Sequence, residues 1–239
     1  MPLPMFLMNT NFIIELVYSV IIMVSCLVIY FKTREIYNLS SHKGIKYFGM
    51  AFLFFAITYF LRFFSKILIL RIIVFSFVTG AIFLPQGFNT LFSLLVLYTG
   101  FMTTFYLLYS LSKKRLGKVL PESTDTLHIL AVVISSVVVI LNLPVLFVGV
   151  SAVLLLYMFV VVYSDYSASK TKVQSGFLLV YFLLILFLML NIFDLLISDF
   201  FGRIQTLVYI VSLSLFLIIL YKVLKILGVE TNGRKKKQA

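Results

Sequence analysis

The stretch from Tyr30 to Phe48 contains side chains that could act together in catalysis. It combines an imidazole, a carboxylate, two neighbouring hydroxyls and two cations, which are His42, Glu35, Ser40, Ser41, Lys43 and Arg34. Nucleophilic catalysis needs a base beside the nucleophile and a third group that orients the base. The sequence offers no such third group near His42, so we expect a turn between two helices. We therefore expect no catalytic residues and no enzymatic activity.

A second set of polar side chains lies near the ends of long apolar runs. Its members are Glu15, Arg62, Asn191 and Asp194. Ionisable groups in apolar segments are costly to bury unless they are paired, so each one is a candidate for function. Arg62 can hold a carboxylate through two parallel N–H···O bonds, and we expect it to pair with Asp194. The set predicts either a ligand-binding pocket or an ion pair that clamps helices together.

Other site chemistries find no support in the sequence. His42 and His128 are isolated, so no histidine pair has the spacing of metal ligands, and we expect no metal. No glycine pattern typical of a phosphate-binding or dinucleotide-binding loop occurs. The last apolar run carries lysines only at its end, Lys222 and Lys225, so a retinal-type Schiff base is not expected. We predict no cofactor.

Composition indicates the kind of molecule that must position these residues. Of the 239 residues 62% are hydrophobic and 12% are charged, and the mean hydropathy is +1.14. Soluble domains are about 45–50% apolar and about 25% charged. The polar residues are too few to coat a soluble surface, and apolar runs of about 20 residues, enough to span a bilayer, recur along the chain. We predict an all-α polytopic membrane bundle.

We place seven transmembrane helices in one domain, residues 1–228, followed by a basic cytoplasmic tail, 229–239. The spans are 11–31, 44–64, 87–111, 127–142, 145–163, 176–198 and 204–227. Residues 65–86 are also long enough to span, but an eighth helix would place most basic loops outside. With seven spans 16 of the 20 basic residues lie inside, as expected for cytoplasmic loops. We predict a multi-pass protein of the cytoplasmic membrane, with the N-terminus outside and the C-terminus inside.

Residues 65–86 are then an excursion on the outer side. This segment can extend the second helix, lie at the membrane interface or form a re-entrant hairpin. Irregular backbone at membrane depth needs protein or water to satisfy it. All three alternatives remain open from the sequence.

The net charge of +12 follows largely from the inner loops and the tail. We expect membrane lipid headgroups, rather than nucleic acid, to meet these charges. The predicted headgroup contacts are Lys32, Arg34, Lys43, Lys113, Lys114, Arg115, Lys235, Lys236 and Lys237. Further partners that we consider are a second copy of the chain and another membrane protein.

Two local predictions concern capping and packing. Ser40 or Ser41 is expected to cap the N-terminus of the second helix, because short hydroxyl side chains accept bonds from the first free N–H groups. Gly49, Gly100 and Gly149 are expected to let helices approach closely.

The spacing of four residues suggests an internal repeat. Gly44 precedes Arg62 by 18 residues, and Gly176 precedes Asp194 by the same interval. Helices 1–3 and 5–7 can then form two parallel repeats joined by helix four, and such repeats are common in transporters. We treat this three-plus-one-plus-three plan as a hypothesis.

Two stretches carry a resemblance to known proteins. "YFKTREIYNLSSHKGIKYFGMAFLFFAITYFLRFF" and "ILYKVLK" in the last helix resemble small uncharacterised seven-helix membrane proteins of archaeal type. The helix plan is loosely similar to opsin-like and sugar-transporter architectures, and to seven-helix sensor regions of histidine kinases. These resemblances bring no assigned activity.

Three functions remain open from the sequence. The first is a sensor-like or ligand-binding protein with a polar pocket on the outer side. The alternatives are a small-solute transporter and a structural subunit of a membrane assembly.

Overall fold

The described part of the chain forms seven long helices. The computed structural model describes residues 10–79, 86–112, 124–167, 172–197 and 202–238, with the side chains of 13–68, 90–111, 124–143, 145–167, 175–193 and 205–228. The helices are α1 Thr10–Ser40, α2 Lys43–Thr79, α3 Gln86–Ser112, α4 Thr124–Leu141, α5 Pro144–Ser167, α6 Lys172–Ile197 and α7 Gly202–Gln238. No strand occurs among these residues, which confirms the predicted all-α class.

Each of the seven helices is long and apolar enough to cross a membrane. Large apolar side chains cover their outward faces: Ile140 is 79% exposed, Val145 74% and Val153 66%. Such a surface suits lipid, because hydrocarbon does not penalise exposed apolar side chains. The chain is therefore an integral, multi-pass membrane protein.

Two helices extend well past their predicted spans. α2 and α7 each contain 37 residues, whereas about 20 suffice to cross the hydrocarbon layer. Residues 65–79 continue α2 without a break, so this part of the predicted excursion is a helix extension. Residues 80–85 lie outside the described chain. The backbone of the predicted tail is a continuation of α7 as far as Gln238.

Six helices form a ring and the seventh lies outside it. The neighbours around the ring are α1, α2, α3, α5, α6 and α7, and α7 closes the ring by packing against α1. Within the described residues, the helices that α4 contacts are α3 and α5. α2 and α6 thus face each other across the ring, and in the described chain their backbones do not pack together directly.

Aromatic side chains fill the space between α2 and α6. Phe55 of α2 lies 5.7 Å from Phe187 of α6, measured between ring centroids, and Phe187 lies 4.9 Å from Phe216 of α7. Phe48 contacts Tyr181 of α6 at 5.5 Å. All five rings are buried. The core is therefore an aromatic layer that joins the two sides of the ring.

The turn between α1 and α2 differs from its predicted capping. α2 begins at Lys43, so His42, and neither Ser40 nor Ser41, occupies the capping position. The carbonyl of His42 accepts the N–H of Ile45 at 3.0 Å. Ser41 has φ 53°, in the left-handed region that ends helices, while the Ser40 hydroxyl accepts the His42 N–H at 3.4 Å. The two serines end α1 instead of starting α2.

A close approach between α1 and α2 requires a glycine at position 49. A Cβ there would lie 2.6 Å from the Thr33 hydroxyl oxygen, and contacts that short do not occur. At Gly100 and Gly149 a Cβ would meet nothing within 4 Å. The predicted close approach is confirmed at Gly49 and wrong at Gly100 and Gly149.

Candidate functional site

Tyr59 of α2 forms the centre of a polar cluster that links three helices. Its buried hydroxyl donates to Asn191 Oδ1 of α6 at 2.6 Å. Tyr18 of α1 has its hydroxyl 3.2 Å from that of Tyr59. Because the single Tyr59 proton is used on Asn191, Tyr18 must be the donor in this pair. The Asn191 amide nitrogen donates to the Phe187 carbonyl at 2.8 Å, which orients the amide.

Charged side chains lie one to two turns beyond Tyr59 along α2. The Arg62 guanidinium carbon is 5.6 Å from the centroid of the Tyr59 ring, within the range of a cation–π contact. Lys66 Nζ lies 2.8 Å from Glu15 Oε2 of α1, and both side chains are partly exposed. The Glu15–Lys66 pair therefore ties α1 to α2 at what we call the Arg62 end of the bundle.

The structure places the four predicted site residues in different settings. Arg62 and Asn191 line one cavity. Glu15 pairs with Lys66 beside it. The backbone of Asp194 lies on α6 about one turn beyond Asn191, but its side chain is outside the described residues. The Arg62–Asp194 pair stays a prediction.

The cavity at the Arg62 end lies between α2, α3, α5 and α6 and has a volume of about 80 Å³. We call it the first cavity. A single water needs about 10–15 Å³ of cavity volume, so the space suits several waters or a small solute. Its lining consists of Phe55, Thr58, Tyr59, Arg62, Gly100, Thr103, Thr104, Phe147, Ser151, Leu155, Leu188, Asn191 and Ile192.

The threonine hydroxyls that line the first cavity donate their protons to other oxygen atoms of the protein. Thr103 donates to the Thr99 carbonyl at 2.9 Å, and Thr104 donates to the Gly100 carbonyl at 3.3 Å. The Thr58 hydroxyl has two acceptors for its proton, the Phe54 carbonyl at 2.8 Å and the Thr99 hydroxyl at 2.9 Å. A hydroxyl has one proton and two lone pairs, so while these bonds are kept the oxygens accept, and do not donate, a further bond.

A second and larger cavity, about 540 Å³, lies at the opposite end of the bundle, which we call the His42 end. Its polar lining residues are Thr33, Ser40, His42, Ser110, Asp165 and Tyr181, and its apolar walls include Phe48 and Leu227. The Ser110 and Tyr181 hydroxyls lie 2.7 Å apart and join α3 to α6. The candidate catalytic stretch thus contributes Ser40 and His42 to the wall of a cavity.

The aromatic layer separates the two cavities. Phe55 borders the first cavity and Phe48 borders the second. Their separation of seven positions corresponds to about 10 Å along the helix axis. Phe52 lies between them and is fully buried. One short stretch of packed rings therefore divides the polar interior.

His128 of α4 has a partner on each ring nitrogen. Nδ1 lies 2.7 Å from the Tyr98 hydroxyl, and Nε2 lies 3.1 Å from the Tyr106 hydroxyl. Both tyrosines belong to α3, so His128 fastens the outlying α4 to the ring. This explains why an isolated histidine occurs in an apolar run.

The predicted headgroup residues are described only in part. Lys32, Arg34 and Lys43 are exposed at the His42 end, and Lys32 pairs with Glu35 at 2.9 Å. Residues 113–123 lie outside the described chain, as do the side chains of 235–237. Among the described residues no group of three or more His, Cys, Asp or Glu could hold a metal ion.

The sequence did not point to the second cavity. Ser110, Asp165 and Tyr181 come from three helices, and no spacing within one segment connects them. The only signal was their position: each lies in the end of its helix that the charge pattern placed on the inner side. Such a signal marks many residues, so it could not single out these three.

Comparison with known proteins yields one similar protein of unknown activity. An uncharacterised protein of Archaeoglobus fulgidus is 29% identical over 218 residues, covering 88% of this chain and 91% of that protein. No family model matches the chain. No solved structure matches it. The similarity extends over most of the chain and assigns no activity.

Proposed function

We propose that this protein is a non-enzymatic carrier that moves a small polar solute across the membrane. The observation that supports this most is the pair of cavities at opposite ends of the bundle, both lined by α2 and α6 and both containing polar side chains. The aromatic layer lies between them. A solute that enters from either end would need these rings to move before it could pass.

The contacts between α2 and α6 support an internal repeat. Arg62 and Asp194 are separated by 132 positions, and so are Tyr59 and Asn191, which are hydrogen-bonded. Phe55 and Phe187 have the same separation and are also in contact. Equivalent residues of two repeats can touch each other only near the symmetry axis. Two such contacts along α2 and α6 are what an axis between these helices predicts.

The order of helices around the ring agrees with this symmetry. A two-fold rotation that exchanges α1 with α5, α2 with α6 and α3 with α7 turns each neighbouring pair into another observed pair. The contact of α1 with α7, for example, becomes the contact of α5 with α3. Transporters with parallel repeats bind their solutes at the repeat interface, and both cavities lie there.

The proposal is tested by solute flux through the purified protein in proteoliposomes. We expect saturable uptake of a small polar solute by the wild type. Replacing Phe55 and Phe187 by alanine opens the aromatic layer, so a passive leak of solutes such as glycerol should rise at least severalfold. Phe60→Ala is the control, because Phe60 is also on α2 but is 48% exposed.

Two results would contradict the carrier. One is the absence of flux for solutes that the protein binds, and the other is a layer variant that is folded and no leakier than Phe60→Ala. The first result would favour a second function, a sensor-like protein that binds a ligand in the first cavity. The closed aromatic layer supports that alternative, since a ligand held at the Arg62 end would not pass it.

A further inference from the structure

The polar groups of the first cavity are sorted by type along its length. Arg62 and the Asn191 amide can donate hydrogen bonds. Thr103 and Thr104, whose protons are used on the backbone, can only accept. Thr58 has likewise used its proton and lies between the two groups. The cavity therefore has a donor end and an acceptor end.

The heights of Arg62 and Thr103 along the bundle axis follow from a contact between α2 and α3. The Thr58 and Thr99 hydroxyls are 2.9 Å apart, so these residues lie at the same height. Arg62 is four residues from Thr58 toward one end, and Thr103 is four residues from Thr99 toward the other. At 1.5 Å per residue, the backbones of Arg62 and Thr103 are about 12 Å apart along the bundle axis.

The wall between these ends is mostly apolar. Phe55, Phe147, Leu155 and Leu188 line it, and Thr58 and Ser151 each add a hydroxyl. A bound molecule is thus offered polar partners at both ends and hydrocarbon contact between them. A molecule without a polar group at each end would leave one of these ends unsatisfied.

We infer that the first cavity binds a small carboxylate whose far end carries a hydroxyl or ammonium hydrogen-bond donor. The carboxylate lies against Arg62 and the Asn191 amide, and the donor faces the oxygens of Thr103 and Thr104. A guanidinium has five N–H groups, and a bidentate carboxylate takes two, so Arg62 can serve the solute besides its protein contacts. This inference names the solute class of the proposed carrier and rests on that proposal only for the transport step.

The test is binding to the purified full-length protein in lipid nanodiscs, measured by calorimetry. The probes are 4-hydroxybutanoate, 4-aminobutanoate, butanoate and butane-1,4-diol. We expect at least one of the first two to bind about tenfold or more tightly than butanoate and the diol, because a site built for a polar group rejects the analogue that lacks it. Equal binding of butanoate, or binding of none of the four, would overturn the inference.

Substitutions at the donor end and at the acceptor end of the first cavity test how the probe is oriented. Arg62→Gln should weaken binding of the preferred probe about tenfold or more, the loss expected for a charge-assisted bidentate pair. Lys66→Gln is the control, since Lys66 is on the same helix and bonds to Glu15 outside the cavity. If Arg62→Gln fails to fold, Arg62→Lys keeps the charge and should still weaken binding by losing the bidentate geometry. Unchanged affinity in a folded Arg62 variant would contradict the site.

The double variant Thr103→Val, Thr104→Val should remove the preference for the donor-bearing probe over butanoate. Ser135→Ala is its control, because Ser135 is also a buried hydroxyl residue bonded to its own helix but lies on α4, away from this cavity. A preference that survives in the folded double variant overturns the proposed orientation. Binding without flux would leave this inference standing and contradict the carrier, whereas flux of other solutes without such binding would do the reverse.

Discussion

Buried polar side chains in this bundle depend on one another for their hydrogen bonds. Tyr59 is only 2% exposed, so no bulk water can replace a lost partner. Its hydroxyl satisfies the Asn191 oxygen and at the same time accepts the Tyr18 proton. Removing one oxygen atom therefore breaks two contacts between three helices. At the scale of single residues, this hydroxyl is the most sensitive point of the Arg62 end.

Tyr59→Phe is expected to lower the free energy of unfolding by about 1–3 kcal/mol, the cost of leaving a buried polar partner unsatisfied. Thermal unfolding of the purified protein in detergent measures the change. Tyr163→Phe is the matched control, because Tyr163 lies on α5 with 62% of its surface exposed. If both variants unfold at the wild-type temperature, the Tyr59 network does not stabilise the bundle.

Part of this network was predictable from the sequence. The cost of polar groups in apolar runs pointed to Arg62 and Asn191, and both line the first cavity. The sequence did not predict a role for Tyr59, because tyrosine is common in membrane helices and its hydroxyl alone does not reveal a partner. The bond to Asn191 spans 132 positions and depends on how α2 and α6 face each other. No pattern within either helix determines that distance.

At the scale of the helices, the contact of α1 with α2 depends on one glycine, which has no side chain. Gly49 lies directly against Thr33, whose hydroxyl donates to the Ile29 carbonyl at 2.9 Å. Both residues are buried, so neither can move aside into lipid. Helices in a membrane associate largely through such close packing. This contact fixes how α1 lies on α2, and so how Tyr18 reaches Tyr59.

Gly49→Ala should force α1 away from α2 and destabilise the protein by about 1–3 kcal/mol, as overpacking in a dense core does. Gly149→Ala, on α5, meets no atom within 4 Å and should be neutral or stabilising. Thermal unfolding of the two alanine variants side by side checks the prediction. Equal stability would mean that the α1–α2 interface tolerates a methyl group at position 49.

Helix existence was predictable, while helix ends were not. The predicted second span, 44–64, lies inside α2, which continues to Thr79. Hydropathy reports which residues prefer lipid, whereas a helix continues as long as its backbone bonds form. Glycines were equally ambiguous: Gly49 and Gly100 look alike in the sequence, and only the neighbouring helix distinguishes them.

The molecule as a whole presents two unlike ends. The His42 end holds the turn between α1 and α2, with exposed Lys32, Arg34 and Lys43. The Arg62 end holds the turn between α4 and α5, where Leu143 is exposed. The distribution of basic residues predicts that the His42 end faces the cytoplasm. For the proposed carrier, this orientation decides which cavity a solute outside the cell meets first.

Cysteine labelling tests the orientation in intact cells. The natural Cys26 is fully buried, so it should stay unlabelled in both variants. Leu143→Cys should react with a membrane-impermeant maleimide from outside. Lys43→Cys should react only after the cells are permeabilised. The opposite pattern would invert the predicted topology and place the Arg62 end in the cytoplasm.

The two longest helices project from opposite ends of the bundle. A helix of 37 residues is about 55 Å long, roughly 25 Å more than the hydrocarbon layer. α2 projects at the Arg62 end and α7 at the His42 end. A tilt of about 10° inside the membrane would carry a tip 25 Å away sideways by about 4 Å, at 1.5 Å of rise per residue. Small rearrangements around the aromatic layer would therefore be amplified into displacements that distance measurements between spin labels can follow.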